Sequence, residues 1–350
     1  MLKKVLFTGN YDKEYNRTKV ISIGLENLGV EIIHLTFKKH NKNSRNLIKE
    51  LSKDVDIIFL PSFTHKDVKY VKKNSNKPLI FDPLISRYLT KVFDFKQVNK
   101  YSPRAYKNYL KDKIAFKYAN KIIADTLEHK KYYNQQFNIP NNKIEVIEIG
   151  ADCSFFYPEE TTQKNSEFII GFYGGFIPLQ GVKNIIAAAK ILLSQPDITF
   201  RLIGNGFEFE EIKKIISKEK ITNIDLQGWL KYIDLPKAIN QFDICLGIFG
   251  DTPKAEMVIP NKIFHYAACK KPIITKDTPG IKELFVNNKN ITLTSSQPQE
   301  IADTILKIKN NKANSDIIAE EAYRLITNNY DTKAIANKFI SIAQKLILNK

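Results

Sequence analysis

Apolar residues recur along this chain in two alternating rhythms. Short β-branched and aromatic runs alternate with longer stretches that are apolar at helical spacing. In the first half the runs predict strands over 4–8, 30–35, 56–60, 78–81, 121–124 and 144–147. Helices are expected between them. One covers 17–28, with Val20, Ile21, Ile23, Gly24, Leu25 and Leu28 as its stripe and Gly29 as its stop. Others cover 44–53 and 64–73, and one carrying His129 follows Asp125-Thr126. The alternation then starts again. Strands are expected over 169–173, 198–203, 224–226, 244–246 and 272–275. Helices are expected over 182–193, 208–217, 231–240, 261–268, 299–309, 315–327 and 331–347, the last with Ile335, Phe339, Ile342 and Leu346 on one stripe. Strands separated by helices argue for parallel, doubly wound sheets of the α/β class.

The restart has a marked opening. Residues 168–181 read FIIGFYGGFIPLQG, a strand entering Gly174-Gly175 and a helical pattern leaving from Gly181. Strand, glycine turn and helix open many nucleotide- or phosphate-binding units. Two Rossmann-like domains facing a cleft are therefore expected. The first spans 1–157, and the second spans 158–328 after a polar linker at 159–166. A length of 350 residues also exceeds one ordinary core.

Segment 84–118 breaks the rhythm. It interleaves Tyr and Phe with nine basic residues against two acidic ones, Asp94 and Asp112. Such a mixture suits a membrane interface or a phosphate-bearing ligand. A helix with a core-facing aromatic stripe and a solvated lysine face has the same composition.

Charge sharpens that choice. The formal net charge is +17, and residues 1–150 hold 29 Lys/Arg against 15 Asp/Glu, leaving an excess of only +3 beyond them. A lysine-rich solvated surface is one reading, and attraction to an acidic membrane or a phosphorylated acceptor is the other. No nucleic-acid motif accompanies the charge, so nucleic acid is not expected as a partner. No apolar stretch approaches the ~20 residues of a spanning helix, and the run after Lys3-Lys4 is too short for a signal peptide. Cys153, Cys245 and Cys269 are scattered and odd in number, which fits a reducing cytosol and argues against a disulfide framework or a zinc site.

Ligands of open α/β sheets gather beyond the carboxyl ends of the strands. The second half offers Gly174, Gly175, Phe176 and Gln180 in its opening turn, then Gly204, Asn205 and Gly206, then Gly228 and Trp229. Trp229 lines a base or sugar pocket or fills the core. Pro260-Asn261-Lys262 begins a helix, with proline at its start and Asn261 as its cap. Its free N–H groups, its dipole and Lys262 would face a diphosphate. His265, one turn on, either bonds a ribose hydroxyl or phosphate oxygen or is a satisfied core residue. The first half offers Gly9, Asn10, Asp82, Ser86 and Asp125. Asp82 either caps the turn after its strand or meets acceptor hydroxyls. No triad order or HExxH specifies hydrolysis.

FYGGFIPLQGVKNIIAAAKILL, ITFRLIGNGFEFEEIKK, LQGWLKYIDLPKAINQFDICLGIF and VIPNKIFHYAACKKPIITKDTPGIKELF together resemble the donor half of family 4 glycosyltransferases of the GT-B fold. GNYDKEYNRTKVISIGLENLGVEI, LIFDPLISRY, DKIAFKYANKIIADTLEHKKYYNQQFNIP and IGADCSFFYP resemble the acceptor half of a subgroup. The resemblance covers nearly the whole chain. It implies a retaining transfer of a sugar from a nucleotide diphosphate sugar, the donor substrate, to a saccharide or lipid-linked acceptor, without a cofactor or bound metal. It assigns Lys262 and Asp82 to catalysis, the second-half strand ends to the donor, and Gly9, Asn10, Asp82, Ser86 and Asp125 to the acceptor. It sends a C-terminal helix, 329–350, back onto the first domain. Synthesis of a surface polysaccharide or glycolipid follows, in the cytosol or at the inner face of the membrane.

The chain departs from the family at charged positions. Gly175 and Gln180 stand where Arg and Lys are frequent, and Met257 and His265 stand where two glutamates are frequent, with Glu256 beside the first. Lys276 or Lys282 could supply the missing charge. A GT-B scaffold that binds a sugar nucleotide or partner enzyme without turnover is the alternative.

Overall fold

In the computed structural model, which describes residues 2–159 and 167–348, the alternation becomes two six-stranded parallel sheets. The expected linker lies, from residue 160 on, outside the described residues. The chain divides into one unit of Met1–Asp152 with Asn329–Lys350, and another of Cys153–Asn328.

The first unit runs β1 (Lys4–Gly9), α1 (Asn16–Asn27), β2 (Glu31–Thr36), α2 (Lys42–Leu51), β3 (Ile57–Leu60), α3 (His65–Asn74), β4 (Leu79–Phe81), α4 (Pro103–Tyr118), β5 (Lys121–Ala124), α5 (Leu127–Phe137) and β6 (Ile144–Val146). Its strand order is β2-β1-β3-β4-β5-β6, so the order reverses between β1 and β3. Helices cover both faces, which is why β3 is an unbroken apolar IIFL. Alternate residues divide between the faces. Leu6, Ile58, Leu60 and Phe81 pack with Val68, Phe116 and Phe137. Val5, Phe7, Ile57 and Phe59 pack with Val20, Ile21 and Leu25 of α1 and with Ile335 and Phe339 from the end of the chain.

Segment 84–118 resolves into a wide turn and α4. Phe95 N–H bonds the Thr90 carbonyl, five residues back, at 2.9 Å. In α4 the core side carries Ala105, Ala115 and Phe116, with Ser102 as the cap. Tyr109 stacks on Phe137 inside, whereas Tyr106 and Tyr101 stay exposed. The core-facing helix is thus present, and its outer face keeps aromatic residues as well as lysines.

The second unit runs β7 (Phe168–Tyr173), α6 (Val182–Ile191), β8 (Ile198–Ile203), α7 (Phe209–Lys218), β9 (Ile224–Gln227), α8 (Leu235–Asn240), β10 (Ile244–Leu246), α9 (Asn261–Ala268), β11 (Ile273–Lys276), β12 (Thr292–Thr294), α10 (Pro298–Asn310) and α11 (Lys312–Asn329). Strand order β12-β11-β10-β7-β8-β9 puts the reversal between β7 and β10. Two details differ from the expected pattern. The helix expected from 231 begins at Leu235, with Pro236 in its first turn, after a tight turn over Tyr232–Asp234. Edge strand β12 was not expected, because a short polar TLT carries no apolar run.

The last helix, α12 (Thr332–Leu348), belongs to the first unit. It lies against α1 so closely that a Cβ on Gly24 would sit 2.0 Å from the Thr332 carbonyl oxygen. Gly24 permits that approach.

Candidate functional site

In the second unit the strand ends at the β7/β10 reversal converge on the glycine turn. Gly174 has φ +150°, and a Cβ on Gly204 would lie 1.9 Å from the Gly174 carbonyl oxygen, so the two loops lie directly on each other. Phe176 N–H donates to the Asn205 carbonyl at 2.9 Å. Asn205 Oδ1 accepts from Gly206 N–H at 2.6 Å, which folds that loop on itself. Gly181 has φ +64°, and a Cβ there would meet the Phe249 backbone at 2.3 Å. Glycine is needed at Gly181 for both reasons. Gly174, Gly175, Gly204, Asn205 and Gly206 are thus brought together, and Gly228 joins through its carbonyl, 3.2 Å from Gly204 N.

Several side chains are not where the sequence suggested. Phe176 is fully buried among Phe172 and Phe209, so only its backbone borders the turn. Trp229 is 67 % exposed and fills no core. Pro260 takes the cap position of α9, with extended ψ and no side-chain cap bond, and Asn261 is the first helical residue. The expected roles of those two residues are exchanged.

Lys262 reaches from α9 to the underside of the turn. It is 3 % exposed, and its Nζ donates to Gln180 Oε1 at 2.6 Å. The same Nζ lies 3.5 Å from the Phe172 ring centre and 3.0 Å from the point where a Gly174 Cβ would stand. No carboxylate pairs with it among the described residues. Burial holds its pKa well below the usual lysine value. Gln180, read as a loss of charge, is the acceptor that meets this ammonium.

His265 is a core residue here. Its ring, 1 % exposed, stacks on Phe156 at 3.8 Å and its Nδ1 meets the Tyr173 hydroxyl. Burial lowers its pKa to about 3, so the imidazole is neutral. Lys276 and Lys282 do not replace the missing charge. Lys276 Nζ binds Asp251 at 2.7 Å and Glu256 at 2.8 Å, and Lys282 binds Asp277 at 2.7 Å.

In the first unit Asp82 is buried against Arg17. Its Oδ2 accepts from Arg17 Nε at 2.7 Å and its Oδ1 accepts from Leu84 N–H at 3.0 Å, so it caps the turn after β4. Arg17 also donates to the carbonyls of Ile147, at 2.8 Å, and Glu148. Burial pushes the Asp82 carboxyl up, and the guanidinium opposes it. Ser86 donates to Asp112 at 2.7 Å, and Asp125 pairs with His129 Nδ1. These carboxylates and the hydroxyl are taken up by their own neighbours.

Gly9 and Asn10 belong to a different group. Asp67 Oδ2 accepts from Asn10 N–H at 2.9 Å, and its Oδ1 holds His40 Nε2 at 2.7 Å. His40 stacks on Tyr70 at 4.1 Å. This group ties the loops after β1 and β2 to the first turn of α3, beside the β1/β3 reversal. Sequence reading missed Arg17, His40 and Asp67. Each sits in a helix or loop whose spacing looked ordinary.

A family model described as "Glycosyl transferase-like" matches residues 182–341. Among curated proteins, an uncharacterized glycosyltransferase of Methanocaldococcus jannaschii is 25 % identical over 217 residues, 59 % of this chain and 55 % of that protein. The chitobiosyldiphosphodolichol beta-mannosyltransferase of Candida albicans is 24 % identical over 63 % of this chain and 53 % of that protein. The chain thus spans about half the length of these relatives. Among solved structures, Anabaena HepE with UDP and glucose superposes with a TM-score of 0.77 at 16 % identity, covering 98 % of this chain and 100 % of that one.

Proposed function

We propose that this chain, which is similar in sequence to glycosyltransferases and shares their GT-B fold, is a group 1 type glycosyltransferase that moves a sugar from a nucleotide diphosphate sugar to an acceptor with retention at the anomeric carbon. The observation that carries this reading is the Lys262 amine, held under the glycine turn at the β7/β10 reversal with no carboxylate partner among the described residues. As the bond from the anomeric carbon to the diphosphate oxygen breaks, negative charge grows on the leaving group. The Lys262 amine, protonated against that growing charge, stabilises it in surroundings with little water, where a charge acts more strongly than in solvent. The backbone N–H groups of the turn and of the α9 start add partial positive charge.

UDP-sugars are the first donors to test, since the Anabaena neighbour was crystallised with UDP. A saccharide or lipid-linked acceptor, and a product in surface polysaccharide or glycolipid synthesis, complete the reading. The name of the Candida relative supports the lipid-linked class. Protein cations take the part that a metal plays elsewhere, so activity should survive excess EDTA. A donor panel of UDP-, GDP-, ADP- and CDP-sugars, read by thermal shift and by nucleotide release, tests the proposal. Absence of both signals for every donor would overturn it, and an inverted product anomer would overturn retention.

A second reading has its own support. Gly175, Gln180 and neutral, buried His265 stand at positions where the family resemblance implies charge. A non-catalytic scaffold would show the thermal shift without nucleotide release.

A further inference from the structure

The outer face of α4 and its surroundings hold positive charge that no ion pair balances among the described residues. Lys107 and Lys111 are one turn apart on α4, Lys66 stands in the first turn of α3, which packs on α4, and Arg87 lies in the connection between β4 and α4. None of the four has an ion pair among the described residues. Arg87 Nε is buried without a hydrogen-bond partner among them. The neighbouring carboxylate, Asp112, is fully buried and spent. It accepts from Ser86 Oγ at 2.7 Å and from the N–H groups of Tyr88 at 2.9 Å and Arg87 at 3.2 Å. The other acid of the segment, Asp94, is buried too.

Like charges are therefore crowded on one face. Burial, and then Arg87 and Lys107, hold the Lys111 ammonium below its usual pKa, with Lys66 adding to the effect. Crowded cations are relieved by a bound anion, and a phosphate offers oxygens to several donors at once. The start and the exposed side of α4 also carry large side chains open to solvent. Tyr101 is 84 % exposed, Tyr106 62 % and Ile114 38 %. Amphipathic aromatic rings beside lysines suit the headgroup level of a bilayer.

We propose that Lys66, Arg87, Lys107 and Lys111 form a binding site for the phosphate of a membrane lipid, with Tyr101, Tyr106 and Ile114 entering the interface around it. The site lies wholly in the first unit and is independent of the donor chemistry. Vesicle binding is read without turnover, so failure of this inference and failure of the proposed reaction are distinguishable.

The test is co-sedimentation with vesicles of phosphatidylcholine alone and of phosphatidylcholine mixed with phosphatidylglycerol. The full chain should bind the mixed vesicles, weakly at high salt, and should ignore the neutral ones. Lys107→Glu with Lys111→Glu should lower binding by at least about tenfold. Lys107→Gln with Lys111→Gln should lower it less and guards against misfolding of the first variant. Lys213→Glu with Lys214→Glu, the same charge change on exposed α7 of the other unit, should leave binding unchanged. Equal binding to neutral vesicles, or retained binding in both α4 variants, would overturn the site. So would an equal loss in the α7 variant. Displacement by inorganic phosphate at constant ionic strength would identify free phosphate as the ligand and overturn the lipid assignment.

Discussion

A charged lysine under an aromatic ring and a carboxamide, with no carboxylate in reach among the described residues, is unfavourable for the folded chain alone. Lys262 is held in that state, so its charged form is disfavoured in the fold and favoured in the unfolded chain. Between its depressed pKa and 10.5 the unfolded chain binds the extra proton, so the free protein gains stability as pH rises through that window. Nucleotide diphosphate binding should run the other way, weakening as pH rises through the depressed pKa. Lys262→Met should leave the melting temperature of the free chain equal or higher and abolish the nucleotide-dependent shift. A full shift in that variant would remove Lys262 from the site. His265 gives a separate signal. Its pKa falls from 6.5 to about 3 on folding, so the unfolded chain binds a proton that the fold refuses, and stability climbs with pH across that range. Replacing His265 with Phe, which keeps the stack on Phe156, should flatten urea-derived stability between those pH values. At this scale the sequence revealed which polar residues sit at strand ends but not which partners they meet. Asp82 was visible as a carboxylate after a strand, yet Arg17 lies 65 residues away and looks like an ordinary helix start. An unpaired buried charge costs about 3–5 kcal/mol. Arg17→Met should therefore destabilise strongly, and Arg17→Met with Asp82→Leu should recover much of the loss in a double-mutant cycle.

Strands were the most legible elements, because helix-covered strands have to be apolar throughout. Those over 121–124, 198–203 and 244–246 are found as read. Edges and turns were not, since β12 is a polar triplet and the entry to the wide turn before α4 is held by Asp112, 24 residues on from Tyr88. Gly24 is the instructive case. By periodicity it belongs to an apolar stripe, and it does lie on the buried face of α1. Its function there is the absence of a side chain, which lets α12 approach to backbone distance. Gly24→Val should therefore displace α12, although valine fits the stripe. Phe339→Ala, which empties a fully buried ring position between α12 and the sheet, should cost about 3–5 kcal/mol by denaturant titration. A cost below about 1 kcal/mol would mean that α12 is not part of that core in solution.

The chain path makes one unit an insertion in the other. The first unit is built from Met1–Asp152 and Asn329–Lys350, and the second lies between them in sequence. The joint is local, for Ala151 N–H bonds the Tyr330 carbonyl at 3.0 Å and Ala334 N–H bonds Asp331 Oδ1 at 2.7 Å. Each unit has its own sheet and core, and the turn with Lys262 lies wholly in the second. It follows that residues 153–328 made alone should fold and keep the nucleotide-dependent thermal shift, because binding stabilises whatever folded body holds the site. Residues 1–152 made alone should not fold stably, because one face of their sheet and of α1 would lack the cover of Ile335, Phe339 and Ile342 and meet water. Joining 152 to 329 through a short glycine-serine bridge should restore a cooperative transition, since the two cut ends already meet at Ala151 and Tyr330. That bridged fragment should bind anionic vesicles and ignore nucleotides, while the excised fragment does the reverse. Nucleotide binding by the bridged fragment, or vesicle binding by the excised one, would refute this separation of the charge-bearing unit from the unit proposed to bind the donor.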